Sequence, residues 1–237
     1  MLPVAVLAGG LGTRLRLVTG ETLPKALVPV AGRPFIDHKL EELHGRGAGE
    51  VVLLVGHGGD ALRTHVGDGA AFGLRVTYLE DGPTLLGTGG ALLRALPMLG
   101  DTFWTTYGDT LLSVDTASAE AQFAASDACA LMTVLHNRDR WQPSNTRVEG
   151  TRVVAYSKDP RPEAAEHIDY GMLLFRADAF AGCGPGDAFD LAETLGALVS
   201  RSSLDAFEVA ERFHDIGTVE ALRDTEEWVR AREQLPG

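Results

Sequence analysis

Cysteine is nearly absent from this chain of 237 residues. The two present, Cys129 and Cys183, lie far apart and at no metal-ligand spacing, so neither a disulfide framework nor a thiolate metal centre is expected. Long apolar runs are missing too. None approaches the roughly 18 residues of a membrane span, and no charged-then-apolar leader opens the sequence, so a cytoplasmic location is expected by elimination. Basic residues are in deficit: 21 Lys and Arg stand against 33 Asp and Glu, a formal net charge of −12. That balance argues against nucleic acid or a membrane surface as a partner, since both ask for a basic face. There is no repeat, low-complexity tract or linker. What remains is a chain with 45% hydrophobic residues, enough to bury one good core, and a single domain over 1–237 is the default.

The stretch from Pro3 to Pro29 is the one around which the rest is organised. A short apolar run, Val4 to Ala8, ends in Gly9-Gly10-Leu11-Gly12-Thr13-Arg14, the way a buried strand delivers its C-terminal end into a phosphate-sized loop. Uncovered backbone N–H groups, the Thr13 hydroxyl and the Arg14 guanidinium match an anion in charge and geometry. Lys25 follows Pro24, which restricts the backbone and suits a point charge aimed at an α-phosphate under attack. The loop is not a Walker A motif, having no Gly-Lys-Ser/Thr, and it fails the dinucleotide fingerprint at Leu15. Taken alone, it is equally a Gly-rich strand-to-helix turn.

Periodicity organises the remainder as alternating strands and helices, an α/β pattern. Helices are expected from Pro34 to Gly45, over Asp60–Val66, from the Gly87–Gly90 cluster to Leu96 with Pro97 as the stop, over Thr116–Ala125 capped by Asp115, over Phe189–Val199, and from Val219 to Arg232 capped by Thr218; an ordinary cap at Thr88 is the plain alternative to a ligand-facing role for that glycine cluster. Strands are expected over Glu50–Gly56, Leu74–Glu80, Phe103–Tyr107, Ala128–Leu135, a hairpin turning at Glu149-Gly150, Met172–Phe175 opened by Asp169-Tyr170-Gly171, and Leu204–Ala210. Pro160–Ile168 reads as a loop able to cover a neighbouring site. Asp109 stands at the C-terminal end of its strand, where open α/β sheets bind ligands. His214 beside Asp215 suggests a dyad, but adjacent residues rarely face each other.

AGGLGTRLR followed by PKALVPVAGRPFID resembles the signature of the sugar-1-phosphate nucleotidyltransferases, approximately GGxGTRLxPxT and then PKxLxPVxxKP. Leu17 replaces the usual proline and Arg33 the usual lysine; RPFIDHKLEEL and the missing proline look most like members that make GDP-activated heptose. The resemblance implies a single-domain, Rossmann-like, three-layer nucleotide-diphospho-sugar transferase fold with a mainly parallel mixed sheet. It also implies Mg²⁺ as cofactor, a nucleoside triphosphate and a sugar 1-phosphate as small-molecule partners, and leaves self-association into a homo-oligomer open.

On the nucleotide side the resemblance places Leu7, Ala8, Gly9, Gly10, Gly12 and Thr13, with Gly87, Thr88 and Gly89 of LGTGGA lining the base pocket. Arg14 would hold the departing pyrophosphate, Lys25 the α-phosphate, and Asp109 and Asp215, the latter in a D-I-G-T step, the magnesium. Asn145, Lys158, Asp169 and Gly171 fall on the sugar-phosphate side. The family often has Glu-Lys-Pro where this chain reads Ser157-Lys158-Asp159-Pro160, so the phosphate contact is kept while the sugar contact differs. Longer relatives append further segments; here little follows the last helix, and a bare catalytic core is expected. GTP with D-glycero-D-manno-heptose 1-phosphate is the leading pairing. A uridylyl- or thymidylyltransferase for a hexose or amino-sugar 1-phosphate stands as alternative, as does a non-catalytic nucleotide-sugar-binding subunit. A glycosyltransferase is disfavoured because Gly108-Asp109-Thr110-Leu111 lacks an Asp-x-Asp step.

Overall fold

The computed structural model describes residues 1–10, 23–56, 58–80, 82, 85–184 and 186–234. The expected phosphate contacts Gly12, Thr13 and Arg14 lie outside the described residues. A nine-stranded sheet runs in the order β5-β4-β1-β6-β11-β8-β12-β10-β9. Its strands are β1 (Val4–Leu7), β4 (Glu50–Val55), β5 (Arg75–Glu80), β6 (Thr102–Tyr107), β8 (Ala130–His136), β9 (Thr146–Glu149), β10 (Arg152–Tyr156), β11 (His167–Arg176) and β12 (Leu204–Val209). Four short strands pair outside it: β2 (Pro29–Val30) with β3 (Arg33–Pro34), and β7 (Thr110–Leu111) with β13 (His214–Asp215).

The first four strands, β5-β4-β1-β6, are all parallel, and the order reverses at β1, with β4 on one side and β6 on the other. A crevice beyond the carboxyl ends of the strands is the consequence of such a reversal. Strand residues alternate between faces. Val4 and Val6 join a core with Ile36, Leu40 and Leu43 of α1 (Phe35–Gly45), Leu62 of α2 (Gly59–Val66) and Phe123 of α4 (Thr116–Ala124). Ala5 faces the other core, with Leu92 and Ala95 of α3 (Gly87–Leu99) and Leu195 of α5 (Leu191–Ser200). Three layers result. A third cluster packs α6 (Val219–Glu233) through Leu222 and Val229 onto Val28, Val30, Phe35, Leu111 and Ile216.

Four expectations are corrected. α3 does not stop at Pro97 but runs on to Leu99 and ends at Gly100, φ +75°. The plain alternative of a cap at Thr88 is not realised, since the N-cap is Leu86 and the Thr88 hydroxyl accepts from Leu191 N at 2.8 Å. α5 begins at Leu191 rather than Phe189, because Asp190 and Glu193 form a reciprocal capping box there. β11 begins at His167, five residues before Met172, so Ile168 is strand rather than loop. Gly171, φ +92°, marks an interruption within that strand and not its start: Asp169 pairs with Val134 while Leu173 pairs with Met132. Four residues on β11 therefore span two on β8, a bulge that re-aims the side chains around it. Asp115 and Thr218 cap α4 and α6 as expected, accepting from Ser118 N and Ala221 N.

Candidate active site

Two adjoining cavities open at the strand ends. The first, about 300 Å³, is mostly apolar and is lined by Leu7, Ala8, Gly9 and Gly10 with Leu54, Leu85, Gly87 and Thr88. The second, about 440 Å³, lies over the mixed half of the sheet and includes Tyr107, Gln142, Asn145, Tyr156, Lys158, Asp169 and Gly171. Gly10, Lys25, Tyr107 and Asp109 line both.

The residues at this junction are brought together by local structure. Lys25 opens a single 3-10 turn (Lys25–Leu27) after Pro24, anchored by Val28 in the third cluster. Asp109 follows β6, and its carbonyl accepts from Ile216 N at 3.0 Å; β13 pairs with β7 so that Asp215 stands opposite Thr110. Lys25 Nζ lies 2.5 Å from Asp109 Oδ2. Asp215 Oδ1 accepts from Gly217 N at 2.6 Å and Oδ2 from Gln142 Nε2 at 2.9 Å. Burial holds the Asp215 carboxyl above the ordinary carboxylate range; the Gly217 N–H opposes this, and the negative charge of Asp109 adds to it. Two carboxylates with oxygens at one junction suit a hard divalent cation, which prefers oxygen ligands and needs only one or two protein carboxylates beside water and phosphate. The donor set therefore fits Mg²⁺.

At the far end of the second cavity Asp169, beside the bulge in β11, lines the wall. Its Oδ1 accepts from Gly171 N at 2.9 Å, Oδ2 accepts from the Tyr156 hydroxyl at 3.4 Å, and its backbone N–H donates to Asn145 Oδ1 at 2.9 Å. Burial raises its pKa above the usual value. Lys158 Nζ donates to Asp190 Oδ1 at 3.1 Å. Tyr107 and Tyr156 are held well above the ordinary phenol range, first by burial and then by Asp169, so both are neutral hydroxyls.

Of the described residues expected here, Leu7, Ala8, Gly9, Gly10, Lys25, Gly87, Thr88 and Asp109 reach the first cavity, and Asn145, Lys158, Asp169, Gly171 and Asp215 the second. Gly89 lines neither. A Cβ there would sit 2.2 Å from the Phe189 ring, and its N–H is given to Phe189 O at 3.0 Å. That glycine is required by close packing of α3 against the segment leading into α5. Sequence reasoning missed Tyr107, Tyr156 and Gln142. Tyr107 and Tyr156 end their strands and could have been read as such; Gln142, in a loop, carries no such signal. His214 does not pair with Asp215: its Nδ1 lies 3.2 Å from Asp224 Oδ2 and its ring stacks on Trp228.

An apolar pocket at the reversal of a parallel sheet, a polar pocket beside it and a lysine with two carboxylates between them are the layout of a transferase that joins two ligands. The MobA-like NTP transferase domain matches residues 4–186. The chain belongs to this family, among its sugar-1-phosphate nucleotidyltransferases. It is 28% identical over 225 residues to the N-acetylmuramate alpha-1-phosphate uridylyltransferase of Neisseria meningitidis serogroup B, covering 93% of this chain and 95% of that protein. It is 26% identical over 216 residues to the D-glycero-alpha-D-manno-heptose 1-phosphate guanylyltransferase of Campylobacter jejuni, covering 91% and 94%. The crystal structure of HddC from Yersinia pseudotuberculosis superimposes with a TM-score of 0.80 at 24% identity, over 97% of this chain and all of that one. Among the described residues no helix is long and apolar enough to cross a membrane.

Proposed function

We propose that the protein transfers a nucleotidyl group from GTP to D-glycero-D-manno-heptose 1-phosphate or a closely related sugar 1-phosphate, releasing pyrophosphate. The observation that carries the reaction class is the junction itself: Lys25, Asp109 and Asp215 stand where an apolar nucleotide-sized cavity meets a polar one. The base and sugar are supported by RPFIDHKLEEL and by the near-full-length similarity to the heptose 1-phosphate guanylyltransferase. The slightly higher identity to the muramate uridylyltransferase favours a second reading, uridylyl transfer to an amino-sugar 1-phosphate.

In this reading the phosphate oxygen of the sugar 1-phosphate attacks the α-phosphorus in line and pyrophosphate departs. No protein nucleophile is required. Both reactants are anionic, so positioning and charge neutralisation supply the catalysis. Lys25 leaves Asp109 to meet the α-phosphate, whose charge grows as the fifth bond forms. Asp109 and Asp215 would hold Mg²⁺, which when bound neutralises phosphate charge. Lys158 steers the attacking phosphate, held at the cavity wall by Asp190 until it binds. Gln142 and Gly217 N–H fix the Asp215 carboxylate. Arg14, assigned to the pyrophosphate, enters on its motif alone. The base lies against Leu54, Leu85 and the backbone at Gly87.

The test is pyrophosphate release with Mg²⁺ from GTP, UTP, ATP, CTP and dTTP against heptose, mannose, glucose and N-acetylamino-sugar 1-phosphates. Turnover with GTP and the heptose phosphate is expected. Preference for UTP with an amino sugar would move the assignment to the second reading, and silence in folded, nucleotide-binding protein would leave a non-catalytic subunit.

A further inference from the structure

We propose that Asp169 makes the sugar end of the second cavity selective against acidic sugars, so that the acceptor is a neutral or amino-sugar 1-phosphate and one bearing a carboxylate is excluded. The inference rests on the nucleotidyltransferase reading and narrows its substrate. Asp169 faces the cavity with neutral hydrogen-bond donors only, the Gly171 N–H and the Tyr156 hydroxyl. Among the described lining residues there are two cations, and each has an acidic partner: Lys25 on Asp109 and Lys158 on Asp190. Under the reading above both are already committed to phosphate when substrate binds. A sugar carboxylate entering beside Asp169 would therefore meet a like charge and, among the described lining residues, no free counter-charge. Such a juxtaposition is the repulsive element by which a site rejects a close analogue.

Sugar hydroxyls behave differently. A carboxylate at the cavity wall accepts from two of them, the neutral Tyr107 and Tyr156 hydroxyls donate or accept as needed, and a protonated amine gains a partner. The Asn145 amide oxygen accepts from the backbone N–H of Asp169 and so helps hold the carboxylate in place, while its NH2 group is a neutral donor that a sugar hydroxyl can use.

The full chain is assayed with Mg²⁺ and whichever triphosphate turns over, on matched pairs: glucose against glucuronic acid 1-phosphate, and N-acetylglucosamine against N-acetylmuramic acid 1-phosphate. Each acid is measured as substrate and as competitor of the neutral sugar phosphate that is accepted. The acid of each pair is expected to fall about tenfold or more behind its neutral partner in kcat/KM or in inhibition constant, and Asp169→Asn to close most of that gap. Asp169→Ser serves if the first variant fails to fold. Equal or better use of the acids by the wild-type protein overturns the proposal. A gap that persists unchanged in either variant overturns the role of Asp169, since shape alone would then be excluding the acid. If no sugar 1-phosphate turns over or competes, it is the nucleotidyltransferase reading that falls.

Discussion

The two halves of the sheet line their cavities by different means. Over the parallel half the cavity is walled by Leu7, Ala8, Leu54 and Leu85, with glycine backbone where a flat ring would lie. Over the mixed half it is walled by Asn145, Tyr156, Lys158 and Asp169, each hydrogen-bonded to another residue of the chain. An apolar wall with a few backbone groups tolerates modest change in the ligand, because a missing or added methylene costs little. A wall of paired polar groups does not, since any group left unpartnered pays its full desolvation. The difference teaches that base choice should be soft and sugar choice sharp. Between the halves stand Lys25, Asp109 and Asp215, to which the proposed mechanism gives the phosphates of both ligands, and disturbing them should have the largest effect.

Removing Lys25 takes away the charge that the argument aims at the α-phosphate. Losing one such preorganised group costs about 3 to 4 kcal/mol in barrier. Lys25→Ala is expected to lower kcat a hundredfold or more with the fold intact by circular dichroism, and with a smaller change in nucleotide KM. Near-wild-type turnover would detach Lys25 from the chemistry and leave the junction without its cation.

Asp215 separates function from stability. Its carboxyl pKa is raised in the folded state, by burial first, so the folded protein binds a proton more tightly than the unfolded chain. Stability from this group is then present at low pH and is lost as pH rises through the ordinary carboxylate value toward the folded one. At neutral pH, Asp215→Asn should not lower Tm, and should raise it if it moves at all, while turnover falls at least as far as with Lys25→Ala. The thermal shift produced by Mg²⁺ on the wild-type protein should grow from pH 4 to pH 7 and vanish in the variant. A variant that melts lower at neutral pH would mean that the Gln142 and Gly217 contacts outweigh the burial.

How much of this was legible beforehand follows the same division. The parallel half announced itself, because Val4–Leu7 and Glu50–Val55 are continuous aliphatic runs between turn residues, and the glycine loop and Gly108-Asp109 sit at strand ends. Lys25, Asp109 and Asp215 could be named from the family pattern and do meet, drawn together by the β7–β13 pairing that no local signal encodes. The mixed half was harder, and so was α3, which packs on the parallel half. Gly171 read as the start of a strand and is a bulge within one, since positive φ looks the same in either setting. Pro97 read as a helix stop although α3 runs through it. Gly89 was assigned to the nucleotide from the family motif alone, and the close approach it permits to Phe189, 100 residues away, is invisible to any window.

Gly87 tests the apolar side. It has φ +70°, and a Cβ would lie 2.4 Å from the Phe189 carbonyl oxygen, a backbone atom with little room to yield. Gly87→Ala is therefore strained twice, at about 1 to 3 kcal/mol. At this chain length each kcal/mol lowers Tm by about 2–4 °C. Nucleotide KM should rise severalfold with the KM for sugar phosphate unchanged. A wild-type Tm would show that the contact of α3 with the segment before α5 is loose.

The smallest effect, and the finest test of the division, belongs to Tyr156→Phe. The hydroxyl donates to Asp169 across a long 3.4 Å, and the ring, buried against Val153 and Leu173, stays in place when the oxygen is removed. A net hydrogen bond of this kind is worth about 0.5–1.5 kcal/mol, or twofold to tenfold, and its length puts it at the low end. The KM for sugar 1-phosphate should rise about two- to threefold, with kcat nearly constant and nucleotide KM unmoved. If nucleotide KM rose in parallel, the two cavities would act as one site, because Tyr107, which lines both, would be transmitting the loss from the Asp169 side to the base side. A response confined to the sugar places the boundary at Tyr107 and leaves base selection to the backbone around Gly87.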